Sequence, residues 1–143
     1  MIKLVGKKLR MTQIFKDDAV VPVSLVKINK KSDLSQLKEG DLVKVSGLSK
    51  GKGFQGVVKR HGFAGGPQTH GQKNRQRAPG SIGNTTPQRV LPGRRMPGRM
   101  GGQRVTIKGL RIVEINSDSR TLLIKGALPG SEGGRVELLK IGQ

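Results

Sequence analysis

An internal stretch of 72 residues, from 42 to 113, contains no aspartate and no glutamate. It carries 15 of the 28 lysines and arginines and 15 of the 22 glycines. Most of the formal net charge of +19 therefore lies in the middle of the chain. From residue 64 to residue 102 no apolar period is sustained. A segment of this composition cannot bury a core of its own, and we expect it to be disordered or extended in isolation.

The residue types of this segment indicate an anionic partner. Arginine makes planar, bidentate contacts with phosphate and stacks on bases. Glycine lets the backbone approach a surface closely, and proline limits the entropy lost on ordering. Together these properties favour packing against RNA, on which arginine-rich segments can fold. A flexible basic linker is the alternative interpretation, but strands are predicted on both sides and five apolar residues interrupt the segment: Ile82, Val90, Leu91, Met96 and Met100.

The two ends of the chain are typical of β-structure, with β-branched residues, alternating polarity and turn residues between them. The predicted strands are residues 20–28, 41–47, 104–115, 121–124 and 135–141. Gly109 interrupts the alternation of the third of these strands and predicts a β-bulge. Two short helices are also predicted, at residues 34–38, with Ser32 or Asp33 as cap, and at residues 54–61. Several short strands separated by turns predict a small all-β barrel.

The composition argues against several other functions. The absence of cysteine excludes disulfides and thiol catalysis, and the longest apolar run is too short to span a membrane. Residues 51–56 read G-x-G-x-x-G, but the acidic residue and long helix that a dinucleotide site needs do not follow. His61 and His70 have no carboxylate nearby in sequence to complete a metal or catalytic site. We therefore expect no catalytic residue, metal site, cofactor, small-molecule substrate or membrane association.

Six longer motifs carry a resemblance to a known family. They are VGKKLRMTQIF (5–15), SKGKGFQGVVKRHGF (49–63), THG (69–71), RAPGSIG (77–83), GRRMPGRMGGQRVT (93–106) and LLIKGALPG (122–130). In these motifs, and in their order, the chain resembles the large-subunit ribosomal protein three family. The motifs cover nearly the whole chain outside residues 29–40.

The resemblance implies a mainly β fold: a small translation-factor-like β-barrel with a long irregular basic extension. The barrel would comprise residues 1–48 and 104–143, and the rRNA-binding extension residues 49–103. The family is not enzymatic. Its members bind large-subunit rRNA, support early subunit assembly and send the extension toward the peptidyl transferase centre. The implied partners are large-subunit rRNA and neighbouring large-subunit ribosomal proteins, in the cytoplasmic ribosome.

Carried onto this sequence, the resemblance predicts an rRNA contact set and an extension tip. The predicted rRNA-binding residues are Lys50, Lys52, Lys59, Arg60, His61, His70, Lys73, Arg75, Arg77, Arg89, Arg94, Arg95, Arg99 and Arg104. The predicted tip is Gly83, Asn84, Thr85, Thr86, Pro87 and Gln88. We expect the cations to contact mainly phosphates, which position a protein without reading base sequence.

Two other functions stay open at this point. A non-ribosomal RNA chaperone or nucleoid-type protein would bind many nucleic acids equally. An RNA-processing enzyme would use His61 and His70 as its acid and base.

The chain also departs from the family pattern in three ways. Residues 29–40 stand where family members usually have an extra lobe, so we predict a shortened, bacterial-type member. Arg10 replaces the usual glycine before Met11-Thr12. The tip is about one residue shorter than in members that carry a methylated glutamine there, and no such modification is predicted at Gln88.

Overall fold

The structure is a computed structural model, and it describes residues 3–16, 18–29, 34–35 and 37–141. The fold is mainly β, as predicted. The strands are β1 (Lys3–Lys16), β2 (Ala19–Ile28), β3 (Leu42–Leu48), β4 (Phe54–Gln55), β5 (Gly98–Arg99), β6 (Arg104–Asn116), β7 (Thr121–Lys125) and β8 (Arg135–Lys140), with one helix, α1 (Val57–His61). All five strands predicted from alternation are present, with ends within one or two residues of the predicted ones.

Six strands form a closed barrel in the order β1-β2-β7-β6-β3-β8, and β1 pairs with β8 to complete the ring. Every pairing in the ring is antiparallel. Closure leaves each strand with a hydrogen-bonded neighbour on both sides over part of its length, which removes the exposed edges that an open sheet would present.

Alternate residues of each strand fill the barrel interior, because successive side chains of a strand point to opposite faces. The hydrophobic core cluster is aliphatic and contains the following buried side chains: Leu4, Val26, Ile28, Leu34, Leu37, Val43, Val45, Ile112, Leu122, Ile124, Leu128, Val136 and Leu138. Leu34 and Leu37 come from the connection between β2 and β3 rather than from a strand.

Strand β1 is not among the predicted strands, and its inward positions explain why. Leu4, Gly6 and Lys8 alternate toward the interior and are all buried. A Cβ on Gly6 would lie 2.6 Å from the Lys27 carbonyl oxygen, so only glycine lets β2 pack this closely. The Lys8 Nζ donates to the carbonyl oxygens of Leu128 and Gly130 at 2.8 and 2.9 Å. The usual apolar alternation is therefore replaced by glycine and lysine.

The predicted β-bulge at Gly109 is confirmed. Val43 pairs with Leu110 and Val45 pairs with Ile107, so Lys44 faces two residues of β6 instead of one. Gly109 has a φ of +72°, a left-handed conformation that glycine adopts without the cost that a side chain brings.

Both predicted helices differ from the structure. Residues 34–35 belong to a 3₁₀ turn, with the Leu37 N–H bonded to the Leu34 carbonyl at 3.1 Å, because the two leucines pack into the barrel at a three-residue spacing. The proposed caps Ser32 and Asp33 lie outside the described residues. In the second case the helix begins at Val57, since Phe54 and Gln55 pair as strand β4 with Arg99 and Gly98.

The chain divides into two compact units. The barrel unit comprises Met1–Lys50 and Gly102–Gln143, and the basic unit comprises Gly51–Gly101. The Gly102 N–H donates to the Ser49 carbonyl at 3.1 Å, and the Ser49 N–H donates to the Gln103 carbonyl at 2.9 Å. These two bonds join the two segments of the barrel unit at the point where the chain leaves that unit and returns to it.

Candidate nucleic-acid interface

The basic unit holds ten lysines and arginines and no acidic residue. Its two ends are tied together by backbone hydrogen bonds at 2.9 Å, from Lys52 to the Met100 carbonyl and from Met100 to the Gly53 carbonyl. Strands β4 and β5 continue this pairing. The glycine run at residues 51–56 therefore pairs with the returning chain instead of forming the loop of a dinucleotide site.

Helix α1 places three basic residues in its last turn: Lys59, Arg60 and His61. Gly62 follows in the left-handed conformation, and its N–H donates to the Val58 carbonyl at 2.9 Å. Cations near a helix C-terminus interact favourably with the helix dipole. Val57 is the fully buried apolar side chain of this unit, whereas Lys59 is exposed.

Two of the residues predicted to contact RNA bind the basic unit's own backbone in this structure. The Arg60 guanidinium donates to the Met96 carbonyl oxygen at 2.6 Å, and the His61 Nε2 lies 3.1 Å from the same oxygen. A Cβ on Gly98 would lie 2.8 Å from Arg60 Nη1, so the guanidinium packs directly on the Gly98 backbone. Arg60 and His61 thus connect α1 to the chain segment that precedes β5.

The predicted tip, residues 83–88, forms an exposed turn in the basic unit. The Asn84 Oδ1 accepts from the Thr85 N–H at 2.8 Å, and the Ser81 Oγ donates to the Gly83 carbonyl at 2.8 Å. A side chain from outside the turn, that of Arg94, donates to the Ser81 carbonyl. Arg94 is therefore a third predicted RNA contact that holds backbone of its own unit.

The remaining residues of the predicted contact set leave their side chains exposed. Within the basic unit these are Lys52, Lys59, His70, Lys73, Arg75, Arg77, Arg89, Arg95 and Arg99. Lys50 and Arg104 are exposed as well but belong to the barrel unit. The basic unit therefore offers a surface of free cations together with exposed apolar side chains, among them Ile82, Val90 and Leu91.

Arg104 also takes part in an ion-pair cluster on the barrel unit. Its Nη2 lies 2.8 Å from Glu137 Oε2, and the Lys3 Nζ lies 3.3 Å from the same oxygen. The hydrogen bond from Arg104, with that from Lys3, lowers the pKa of Glu137 below its ordinary value. Elsewhere on the barrel unit, the Lys140 Nζ lies 2.6 Å from Asp41 Oδ2 and likewise lowers the pKa of that carboxyl.

A metal or membrane-spanning site is not found in the described part of the chain. Within the described ranges, no group of three histidine, aspartate or glutamate side chains is placed to hold a metal ion. No helix among the described residues is long and apolar enough to cross a membrane.

Phe63 belongs to the site region although sequence reasoning gave it no role. Its ring lies against that of His61, with centroids 6.1 Å apart and planes at 45°. The signal was present in the composition, because the whole chain has three phenylalanines and no other large aromatic residue. The segment builds no hydrophobic core of its own, so core packing does not explain why it contains this aromatic residue.

The comparisons with known proteins agree with the motif resemblance. The family model described as Ribosomal protein L3 matches residues 20–135. The large ribosomal subunit protein uL3 of Chlorobium phaeobacteroides is 53% identical over 108 residues, which cover 75% of this chain and 52% of the relative. The uL3 protein of Leptospira biflexa is 56% identical over 103 residues, covering 71% and 49%.

A longer match is found with the uL3 protein of Dehalococcoides mccartyi. It is 41% identical over 132 residues, which cover 92% of this chain and 64% of the relative. The chain thus spans between about half and two thirds of the length of these relatives. All three relatives are named as proteins of the large ribosomal subunit, and none as an enzyme. Since the family model spans most of both units, the chain belongs to the ribosomal protein L3 family.

Proposed function

We propose that the protein is a structural component of the large ribosomal subunit, and that its basic unit binds large-subunit rRNA. The observation that carries the proposal is the acid-free basic unit, whose free cations and exposed apolar side chains are not covered by any other part of the chain that the structure describes. Packed RNA would supply both the missing anions and the missing core. Membership of the family supports the choice of rRNA over other polyanions.

In this proposal the barrel unit is a translation-factor-like domain, and the basic unit is its extension into rRNA toward the peptidyl transferase centre. Binding would occur early and support subunit assembly. Neighbouring large-subunit proteins would contact the barrel unit, and the protein would reside in the cytoplasmic ribosome. Exposed arginines and lysines would contact phosphates, while Arg60, His61 and Arg94 would hold the shape that those contacts require.

Sedimentation tests the proposal against the chaperone alternative. Tagged protein expressed in a bacterial host should co-sediment with large subunits and remain there after a wash at moderate salt. A general RNA chaperone would distribute over total RNA. If the protein were found mainly with free or messenger RNA, the ribosomal proposal would be wrong.

The position of the tip has its own test. Bulky substitution or lengthening at Thr85 or Thr86 should disturb peptide-bond formation or antibiotic sensitivity, because residues 83–88 would lie near the catalytic centre. Variant subunits should still assemble, since the barrel unit is unchanged. Unaltered drug response and peptide-bond formation in a series of such variants would show that this tip ends short of the centre.

A further inference from the structure

A preformed cavity lies in the basic unit between residues 63 and 80, which we name the glycine–proline loop. The cavity measures about 390 Å³ and is lined mainly by glycine, alanine and proline residues, together with Phe63, Gln72 and Arg75. Cavities that hold small ligands measure roughly 300–1,000 Å³. The space is therefore large enough for one small group, such as a single base, and too small for a nucleic-acid helix.

Close backbone contacts give the loop its shape without any partner. The Gly66 N–H donates to the carbonyls of Arg75 and Gln76, both at 3.1 Å, and the Ala78 N–H donates to the Arg75 carbonyl at 3.2 Å. A Cβ on Gly65 would lie 2.0 Å from the Gln76 carbonyl oxygen. Glycine is thus required where the two arms of the loop meet, and their contact holds the cavity open between them.

The Phe63 ring is held in place at one side of this cavity. His61 packs against it at a 6.1 Å centroid separation, within the range of favourable aromatic pairs, roughly 4.5–7 Å. The same imidazole lies 3.1 Å from the Met96 carbonyl, so the ring pair is fixed to the backbone before the chain reaches β5. A held aromatic ring in a basic, acid-free loop is the kind of group on which unstacked RNA bases stack.

The charges around the cavity match a nucleotide rather than an apolar side chain. Lys73, Arg75 and Arg77 are exposed and alternate along the same loop, and Arg75 also lines the cavity. A base inside would therefore have cations next to its flanking phosphates. An apolar side chain from a protein would gain nothing from these three cations.

From these contacts we propose that the cavity of the glycine–proline loop is a binding pocket for a single unstacked RNA base, stacked on Phe63. The proposal rests on the proposed rRNA-binding function and adds to it one contact with a base, within a surface that otherwise contacts phosphates. Arginine and proline side chains complete the walls, and the backbone of the loop fixes their spacing.

Fluorescence gives a direct test, because the chain contains neither tryptophan nor tyrosine. Phe63→Trp places a single reporter in the pocket, and Phe15→Trp places a matched reporter in β1, where Phe15 is 76% exposed. The probe is deproteinised bacterial large-subunit rRNA. Stacking of a base should quench the emission of the pocket reporter and leave that of the β1 reporter much less affected. Equal quenching of the two reporters, or none in the pocket, would overturn the proposal.

Binding measurements provide the second arm. Removing one base–aromatic stack in Phe63→Ala should weaken rRNA binding roughly 5- to 150-fold. The salt dependence should stay unchanged, because no cation is lost. Phe63→Leu keeps an apolar side chain of similar size but has no aromatic ring, so its affinity for rRNA should fall nearly as far as that of Phe63→Ala. In the complexes with both variants, one nucleotide that wild-type protein protects from chemical modification should become reactive.

The outcomes separate the pocket from the proposed function. If wild-type protein binds rRNA with steep salt dependence while Phe63→Ala binds equally well, the pocket proposal is wrong and the rRNA-binding function stands. If wild-type binding is itself insensitive to salt, the proposed function fails first and the pocket proposal fails with it.

Discussion

Lys8 is a charged side chain at a position that faces the barrel interior. It is 7% exposed, and burial, followed by the nearby charge of Lys50, lowers its pKa below the ordinary lysine value. The ammonium group is tolerated because two carbonyl oxygens, those of Leu128 and Gly130, accept from it. Buried charges persist in proteins when such hydrogen bonds replace the lost water. Lys8 thereby fastens the connection between β7 and β8 to the barrel.

Replacing Lys8 should test this role. Lys8→Met keeps the apolar stem but leaves both carbonyls without their donor, which should lower the free energy of unfolding by about 1–3 kcal/mol. Urea unfolding followed by circular dichroism measures the loss. Lys7→Met is the matched control, since Lys7 is exposed on the opposite face of β1. If the two variants unfold at the same urea concentration, the buried ammonium does not hold the connection.

Arg60 and Lys59 are adjacent in α1 but differ in what they contact. Arg60 binds the Met96 carbonyl and packs on Gly98, whereas the Lys59 side chain is exposed. A lysine cannot reproduce the planar guanidinium contact. Arg60→Lys should therefore weaken rRNA binding by about tenfold or more although the charge is conserved, and Lys59→Arg should bind like wild type. Filter binding at one salt concentration measures both affinities. Equal affinities of the two variants would show that Arg60 acts only through its charge, as a phosphate contact.

At the scale of elements, Glu137 connects three strands of the barrel. It lies on β8 and accepts from Lys3 on β1 and from Arg104 on β6. Asp41, just before β3, is paired in the same way with Lys140 at the end of β8. These carboxylates are the acceptors for cations on neighbouring strands, so their protonation state affects several strand pairs together.

These two carboxyls predict how stability depends on pH. Both pKa values are lowered in the folded chain, so the unfolded chain binds more protons at acid pH. Their stabilising contribution is present above the ordinary carboxyl pKa, about 4, and is lost as pH falls through the lowered folded values.

Urea midpoints measured from about pH 6 down to about pH 2 should fall less steeply for Glu137→Gln than for wild type. Glu114→Gln, which changes an exposed glutamate outside the described ion pairs, should leave the wild-type slope unchanged. Parallel pH curves for Glu137→Gln and wild type would contradict this account of the cluster.

A strand could be predicted from the sequence where its inward-facing residues are apolar. Alternation identified β2, β3, β6, β7 and β8, and Gly109 identified the bulge in β6. Strand β1 lacks this signal because Gly6 and Lys8 occupy inward positions. The second helix was predicted too long for a related reason: pairing of Phe54 with Arg99, across 44 intervening residues, decides the local structure at its start, and no local pattern contains that information.

At the scale of the whole molecule, composition indicated a class of partner but not the conformation of the basic unit. The acid-free window indicated a polyanion, and the motifs indicated the family. The interior of the basic unit was beyond such reasoning, because its shape depends on contacts such as Gly66 with Arg75 and Arg60 with Met96 that follow no period. Residue type likewise does not show which arginines bond to backbone of their own unit, as Arg60 and Arg94 do.

The most direct test of the central claim is the salt dependence of binding between this protein and deproteinised large-subunit rRNA. If six to ten of the exposed cations contact phosphates, affinity should fall about 10³- to 10⁵-fold between roughly 50 and 200 mM salt. Neutralising exposed Arg95 or Arg99 should each reduce the logarithmic slope by about one. A nearly flat salt dependence, or a slope unaffected by these substitutions, would contradict the account.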